Sequence, residues 1–369
     1  MTYMPTMAAA HRLPRLTVKH KLPRMGLVAT VVLLLAAAGA LGPPKAAIPR
    51  RRVISSLGIL GTSWSTAAAG LALAQEGAVP AAAGNASTEP QECRGGAILG
   101  ESQVPGAYRQ VCMELPERRV PLRSSGGAPL VIRQGGTGAS AGSLAGRTGV
   151  AVWNSALLMT RLLDEITAGE ARTSVPPEAS LLRGGAVVEL GCGTGLAGLA
   201  AARLGAASVL ATDGNGEVVA LAASNAERNG LADRVTAKQL QWGLMDAAEY
   251  YDEADLILGA DLTYNSGTWR ALAETMGAVL KPTGYVLYLT TGHSGFNVQG
   301  ELGGFLSVVG GEGLELIDEA SDRWPLRGGA SSMTQLLGSC LSPEEKKGLE
   351  GNGGASAIVL GKKQPRNQY

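Results

Sequence analysis

Histidine is almost absent from this chain. Its 369 residues contain only His11, His20 and His293, so a His-ligated metal centre or a His-based hydrolytic triad in the folded part would rest on His293 alone. Cysteine is nearly as rare. Cys93, Cys112, Cys192 and Cys340 form no CxxC pair and no zinc-type cluster, which argues against metal-stapled folds and thioredoxin-type redox motifs. Cys93 and Cys112 can pair only in an oxidising compartment; the sequence favours free thiols. Aromatic residues make up only 4 %, with two Phe, while apolar residues reach 45 % and Gly numbers 52. That is core enough for a folded domain with an Ala/Gly-biased composition.

Acid is missing from one end. The first 75 residues hold nine of the 32 Lys and Arg and no Asp or Glu, leaving 23 basic against 31 acidic residues in the rest. The folded part therefore offers no basic surface for nucleic acid, and no nucleic-acid partner is expected. The basic end reads as an address. Arg12, Arg15, Lys19, Lys21 and Arg24 lie in an Ala-rich, acid-free opening, as in an organellar transit peptide. An apolar run from Gly26 to Gly42 follows, near the lower length for crossing a bilayer, and Pro43-Pro44 stops it. Arg50-Arg51-Arg52 then precedes a second apolar stretch ending in Ala72-Leu73-Ala74, a twin-arginine-like signal with a cleavage site. The two-stage pattern points to a plastid (chloroplast) protein bound for the thylakoid. A mitochondrial address, or a membrane anchor through the apolar segment, is the alternative. Residues 1–85 are assigned to targeting, 86–108 to a linker, 109–361 to the catalytic domain, and 362–369 to a tail.

Within 109–180, the sequence predicts short strands over Val111–Leu115 and Leu130–Arg133, then a helix from Val152 to Ile166 with apolar residues at helical spacing. From 181 to 361, strand and helix signals alternate. Strands are expected over 186–190, 208–212, 235–240, 254–260, 285–290, 314–317 and 357–360, and helices over 196–204, 217–229 and 268–280. Alternation of this kind predicts an α/β, Rossmann-like, doubly wound parallel sheet of seven strands behind an N-terminal β/α extension. Ser321 to Gly354 reads as loop.

The strongest local signal is Glu189-Leu190-Gly191-Cys192-Gly193-Thr194-Gly195. A buried strand runs into three alternate glycines and then a helix, so the backbone can turn tightly and lie against a ligand at the sheet's carboxyl edge. The dinucleotide fingerprint needs a glycine where Leu196 stands, which argues against a nicotinamide oxidoreductase. Asp213 ends the next strand, where a carboxylate can accept both ribose hydroxyls; capping the following helix is its plainer reading.

Glu189 to Gly195 with Asp213 resembles the motif of class I S-adenosylmethionine-dependent methyltransferases. Trp153, Asn225, Gln241-Trp242-Gly243 and Asp261-Leu262-Thr263-Tyr264 narrow the resemblance to the lysine methyltransferase-like family, methyltransferase family 16. The resemblance implies S-adenosyl-L-methionine as cofactor, no metal, and a protein substrate methylated on a lysine nitrogen. It implies that Gly191, Gly193 and Gly195 pass beneath the cofactor's methionine part. Glu189 would hold the loop or the cofactor's amino group, Asp213 the ribose, and Trp242 the adenine, while Trp153 would wall the pocket. Asp261 and Tyr264 would act at the methyl, Asp261 orienting an incoming ammonium and Tyr264 lining the channel. Desolvation there lowers a lysine's pKa toward the neutral, nucleophilic amine. Gln241 departs from the acid expected before the Trp. A methyltransferase of small molecules or other side chains, and a catalytically idle cofactor-binding organellar protein, remain as alternatives. His293, just after the fifth core strand, reads as a solvated loop residue.

Overall fold

The computed structural model describes residues 115–135, 148–176, 179–292, 298–326, 332–350 and 353–364, with Cys93, Arg94, Ile98, Cys112 and Met113. The segments read as targeting, residues 26–42 and 53–74 included, and His293 lie outside the described residues. All described residues fall in one compact unit, Val79–Tyr369. No helix among them is long and apolar enough to cross a membrane.

Two short strands open the fold. β1 (Glu117–Val120) pairs antiparallel with β2 (Leu130–Arg133). Of the strand expected over Val111–Leu115, the described residues Cys112 and Met113 sit in a turn and Leu115 in a bend, and the pairing starts at Glu117. Cys112 is bonded to Cys93, which corrects the reading of free thiols and explains the turn, since the bridge ties the chain down just before the hairpin. A 3-10 turn at Thr148–Val150 leads into α1 (Asn154–Arg172), whose buried face carries Leu158, Met159, Leu162, Leu163 and Ile166.

The main sheet follows as β3 (Ala186–Leu190), α2 (Leu196–Arg203), β4 (Ser208–Asp213), α3 (Gly216–Arg228), β5 (Val235–Gln239), the short α4 (Leu244–Ala247), β6 (Ala254–Ala260), α5 (Trp269–Val279) and β7 (Leu280–Thr291). It ends with α6 (Val298–Val309), β8 (Leu314–Leu316), α7 (Met333–Ser339), α8 (Pro343–Glu350) and β9 (Ala355–Lys362). The strand order is β5-β4-β3-β6-β7-β9-β8. Strands β3 to β7 run parallel, but β9 is antiparallel to both β7 and β8. The sheet is therefore mixed, which corrects the all-parallel expectation: the final strand slots back between β7 and β8 instead of extending the edge. Two apolar clusters cover the sheet, one built with α1 and α2 around Leu158, Leu199 and Leu256, the other with α5 and α6 around Ile257, Met276 and Phe305.

The region from Ser321 to Gly354 is not all loop. It holds α7 and α8, whose single strong apolar anchor in the latter is Leu349. Arg161 on α1 clamps α8 with two bonds to Glu345, each 2.9 Å. Burial opposes charge on Glu345, yet the bonds from Arg161 and from the backbone N–H groups of Ser342 and Ile98 hold its pKa below the usual carboxylate value.

The order of strands reverses between β3 and β6, so the chain leaves these two neighbours in opposite directions. In folds of this kind ligands bind at such a switch point, at the carboxyl ends of the strands.

Candidate active site

The glycine bend is built as the sequence requires. Gly191, Gly193 and Gly195 have φ of +61°, +53° and +81°, a region that costs an L side chain roughly 1 kcal/mol or more. Space is closed as well. A Cβ on Gly191 would stand 2.5 Å from Leu262 Cδ2 and 3.6 Å from Trp242 Cζ2, and one on Gly193 would stand 3.2 Å from the Gly149 carbonyl. The loop thus lies between the Thr148–Val150 turn on one side and Leu262 with Trp242 on the other.

Asp213, at the end of β4, reaches this bend. Its Oδ2 accepts the Gly193 N–H at 3.2 Å and its Oδ1 accepts the Asn215 N–H at 3.0 Å. Burial raises its pKa above the usual carboxylate value, against these backbone bonds, which favour the charge. It does not cap the next helix. Asn215 does so, accepting the Glu217 N–H at 2.9 Å.

Glu189 faces the other way. It is buried, and its Oε2 accepts the Gly198 N–H of α2 at 2.9 Å. Burial pushes its pKa up to about 8; the Gly198 bond opposes the shift and the Asp213 charge adds to it. Of the two roles weighed for Glu189, this bond serves the first: it braces the loop from behind, at the N-terminus of α2.

Trp153 precedes α1, and its indole N–H donates to the Thr148 carbonyl at 2.6 Å. It thereby holds the turn whose Gly149 lies against Gly193. Trp242 is half-buried, against both Gly191 and the apolar cluster under α5. The Gln241 amide donates to the Gly214 carbonyl at 2.8 Å, next to Asp213, so this departure from the family pattern binds the loop it faces.

Asp261 follows β6 with φ +53°, an uncommon backbone for a residue with a side chain. Its Oδ1 accepts the Thr291 N–H and its Oδ2 the Thr291 hydroxyl, both at 2.7 Å. Asn265 caps the 3-10 turn Ser266–Thr268 that follows, accepting the Gly267 N–H at 3.0 Å. Tyr264 is 53 % exposed.

Sequence reasoning missed what holds this segment. The buried Tyr288 hydroxyl accepts the Leu262 and Thr263 N–H groups at 3.0 and 3.1 Å and meets the Thr263 hydroxyl at 2.8 Å. Thr263 in turn donates to Glu301, and the Trp269 indole donates to the Thr263 carbonyl at 2.7 Å. Tyr288 sits inside an apolar strand run, so nothing in its spacing marks it; only pairing with β6 brings it under the Asp261 segment.

Glycine bend, carboxylate after the second core strand, and acid-x-x-tyrosine after the fourth thus all lie at the carboxyl edge of the parallel strands. Together with the strand order they define a class I methyltransferase fold. Residues 141–294 match the family described as lysine methyltransferase. The chain is 36 % identical over 143 residues to the protein-lysine N-methyltransferase EFM3 of Chaetomium thermophilum, 36 % of this chain and 39 % of that protein. It is 37 % identical over 139 residues to the protein N-lysine methyltransferase METTL21A of Mus musculus, 37 % of this chain and 57 % of that protein. It is 38 % identical over 103 residues to the calmodulin-lysine N-methyltransferase of Arabidopsis thaliana, 27 % of this chain and 34 % of that protein. The similarity thus spans less than two thirds of each of these relatives.

The residues fit S-adenosylmethionine. Three positive-φ glycines offer bare backbone that any Cβ would close, and a partly buried carboxylate at the Gly193 bend suits a ribose diol. Among the described residues, no group of three or more His, Cys, Asp or Glu could hold a metal ion.

Proposed function

We propose that this protein is an S-adenosylmethionine-dependent methyltransferase that methylates a lysine side chain of another protein. The observation that carries the reading is the Asp213 bond to Gly193: it joins the acid of the second core strand to the glycine bend of the first, making one cradle of two distant motifs. Gly191, Gly193 and Gly195 would lie under the cofactor's methionine part. Asp213 would bind the ribose, and Trp242 would pack on the adenine. When bound, the cofactor supplies an electrophilic methyl on a sulfonium, so the chain need supply only position and electrostatics. Asp261 would orient the incoming ammonium at the strand edge, and Tyr264 would line the channel that desolvates it. Desolvation favours the neutral amine that attacks. The names of the relatives support a protein acceptor and a lysine nitrogen.

The test is a pair of variants. Asp213→Ala is expected to weaken S-adenosylmethionine binding by about tenfold or more, as a lost charge-assisted bond does. Asp261→Ala is expected to spare binding and slow methyl transfer to an acceptor lysate protein. Calorimetry and a labelled-methyl assay read the two; normal turnover in both variants sinks these assignments.

We also propose that residues 1–85 address the protein to the plastid, the twin-arginine-like unit sending it on to the thylakoid. The bonded Cys93–Cys112 pair supports a compartment that tolerates disulfides. A fluorescent protein fused behind residues 1–85 would collect in chloroplasts; collection in mitochondria, or in a membrane outside the plastid, overturns the address.

A further inference from the structure

Helix α3 carries Asn225, and Asn229 is its C-cap four residues on, so both lie on one face. Both side chains do the same thing to strand β2. Asn225 Oδ1 accepts the Arg133 N–H at 2.8 Å, and its Nδ2 donates to the Arg133 carbonyl at 3.1 Å. Asn229 Oδ1 accepts the Val131 N–H at 2.8 Å, and its Nδ2 donates to the Val131 carbonyl at 2.9 Å. Residues 131 and 133 present their backbone groups to the same edge of the strand. Two amide side chains therefore stand in for a third strand and close the open edge of the hairpin.

The third bond of each asparagine differs. Asn229 spends its remaining N–H on the Asn225 carbonyl of its own helix, at 2.8 Å. Asn225 donates to the Thr194 carbonyl, at 2.9 Å, between Gly193 and Gly195. Asn225 is fully buried, and both of its side-chain N–H groups and its oxygen are used. The Thr194–Gly195 peptide is then held at both ends, since the Gly195 N–H donates to the Cys192 carbonyl at 2.8 Å.

Arg133 also leads directly into the opposite wall of the cradle. Gln134, the next residue, accepts the Val152 N–H at 2.7 Å through its side chain, and the Gly135 N–H donates to the Val150 carbonyl at 2.8 Å. Those two bonds seat the Thr148–Val150 turn, whose Gly149 lies against Gly193. One side chain thus grips both walls: the glycine bend through Thr194, and the turn above it through Arg133 and Gln134.

We propose that Asn225 is a positioning residue that sets the spacing of the cofactor cradle. The proposal rests on the methyltransferase reading above. Asn229 is its built-in control, because it makes the same bonds to the hairpin and none to the glycine bend.

The experiment compares wild type, Asn225→Ala and Asn229→Ala for S-adenosylmethionine affinity by calorimetry, for the split between cofactor KM and kcat, and for the denaturant midpoint. Both variants are expected to lower the midpoint. Only Asn225→Ala is expected to weaken cofactor affinity, by about tenfold, the size of a lost buried hydrogen bond with its partner left unpaired. Should Asn225→Ala be unfolded, Asn225→Ser, which keeps a hydroxyl at the site, carries the comparison. Equal affinity in all folded variants, or an equal loss in Asn229→Ala, overturns the assignment of Asn225 while the methyltransferase reading stands. A wild-type chain that takes up no S-adenosylmethionine overturns both.

Discussion

Glu189 is a carboxyl group without water around it, and its proton follows from that. In the folded protein it keeps the proton up to a pH of about 8, while in the unfolded chain it releases it near the ordinary 4.5. Below about 4.5 both states are protonated and the full stability is present. As pH rises from there to about 8 the unfolded state gains by ionising, so stability falls across that window. Asp213, shifted the same way by burial, adds to the slope. Glu189→Gln keeps an acceptor for the Gly198 N–H and removes the titration. Its denaturant midpoint should therefore fall less between pH 5 and 8 than that of the wild type; parallel midpoint curves would falsify this account. The glycines carry a second residue-scale prediction. Gly193→Ala adds a methyl at φ +53° and 3.2 Å from the Gly149 oxygen. It should cost about 1–2 kcal/mol of stability and abolish measurable S-adenosylmethionine uptake, whereas Gly230→Ala, with open space at a similar φ of +64°, should cost stability alone. Loss of uptake in both would place the effect in folding, not in the cradle.

Elements that bury one whole face were legible in the sequence; elements held by polar bonds were not. The strands from Ala186 to Leu190 and from Ala254 to Ala260 read directly as apolar runs, because a strand between two helical layers is apolar on both sides. The glycine motif was equally plain, since no other residue fits its backbone. By contrast α8 has one buried apolar residue and is docked by Arg161 through Glu345, so it leaves no periodic stripe to read. Helix α6 is the exception: it buries Val298, Leu302, Phe305 and Val309, and its glycines at 300, 303 and 304 hide the helical signal. The supports of the site escaped for a related reason. Tyr288 and Gln134 act across gaps in sequence, and their partners are backbone atoms whose positions no spacing reveals. The disulfide is the sharpest instance. Cys93 and Cys112 are 19 residues apart, and both are buried. A bridge closing a loop of this size is worth about 2–4 kcal/mol, and the Cys112 carbonyl also accepts the Gln134 amide at 3.0 Å. The double variant Cys93→Ser/Cys112→Ser should lose that much in denaturant titration, and reductant should leave the variant's midpoint unmoved while lowering that of the wild type. A wild-type midpoint indifferent to reductant would show that the bond contributes nothing.

For the whole molecule, the question is where the self-sufficient catalytic unit begins. The sequence places the catalytic domain from residue 109, after a linker. The structure shows residues of that linker already at work: Cys93 is fully buried, its carbonyl accepts from the buried Arg118 at 3.3 Å, and Ile98 packs into the main apolar cluster with its N–H bonded to Glu345. These contacts reach both the hairpin that carries Gln134 and the helix that α1 clamps. A chain beginning at residue 86 keeps all of them. It should therefore unfold at the same denaturant midpoint as the full chain, and bind S-adenosylmethionine within about twofold, well inside the tenfold that marks a lost interaction. A chain beginning at residue 109 loses the bridge and buries Arg118 and Glu345 with fewer partners. It should be destabilised by about 3 kcal/mol or more, from the lost disulfide and the lost bonds to Arg118 and Glu345 together. Matching midpoints for the two truncations would mean that residues 93–98 merely rest on a domain complete without them.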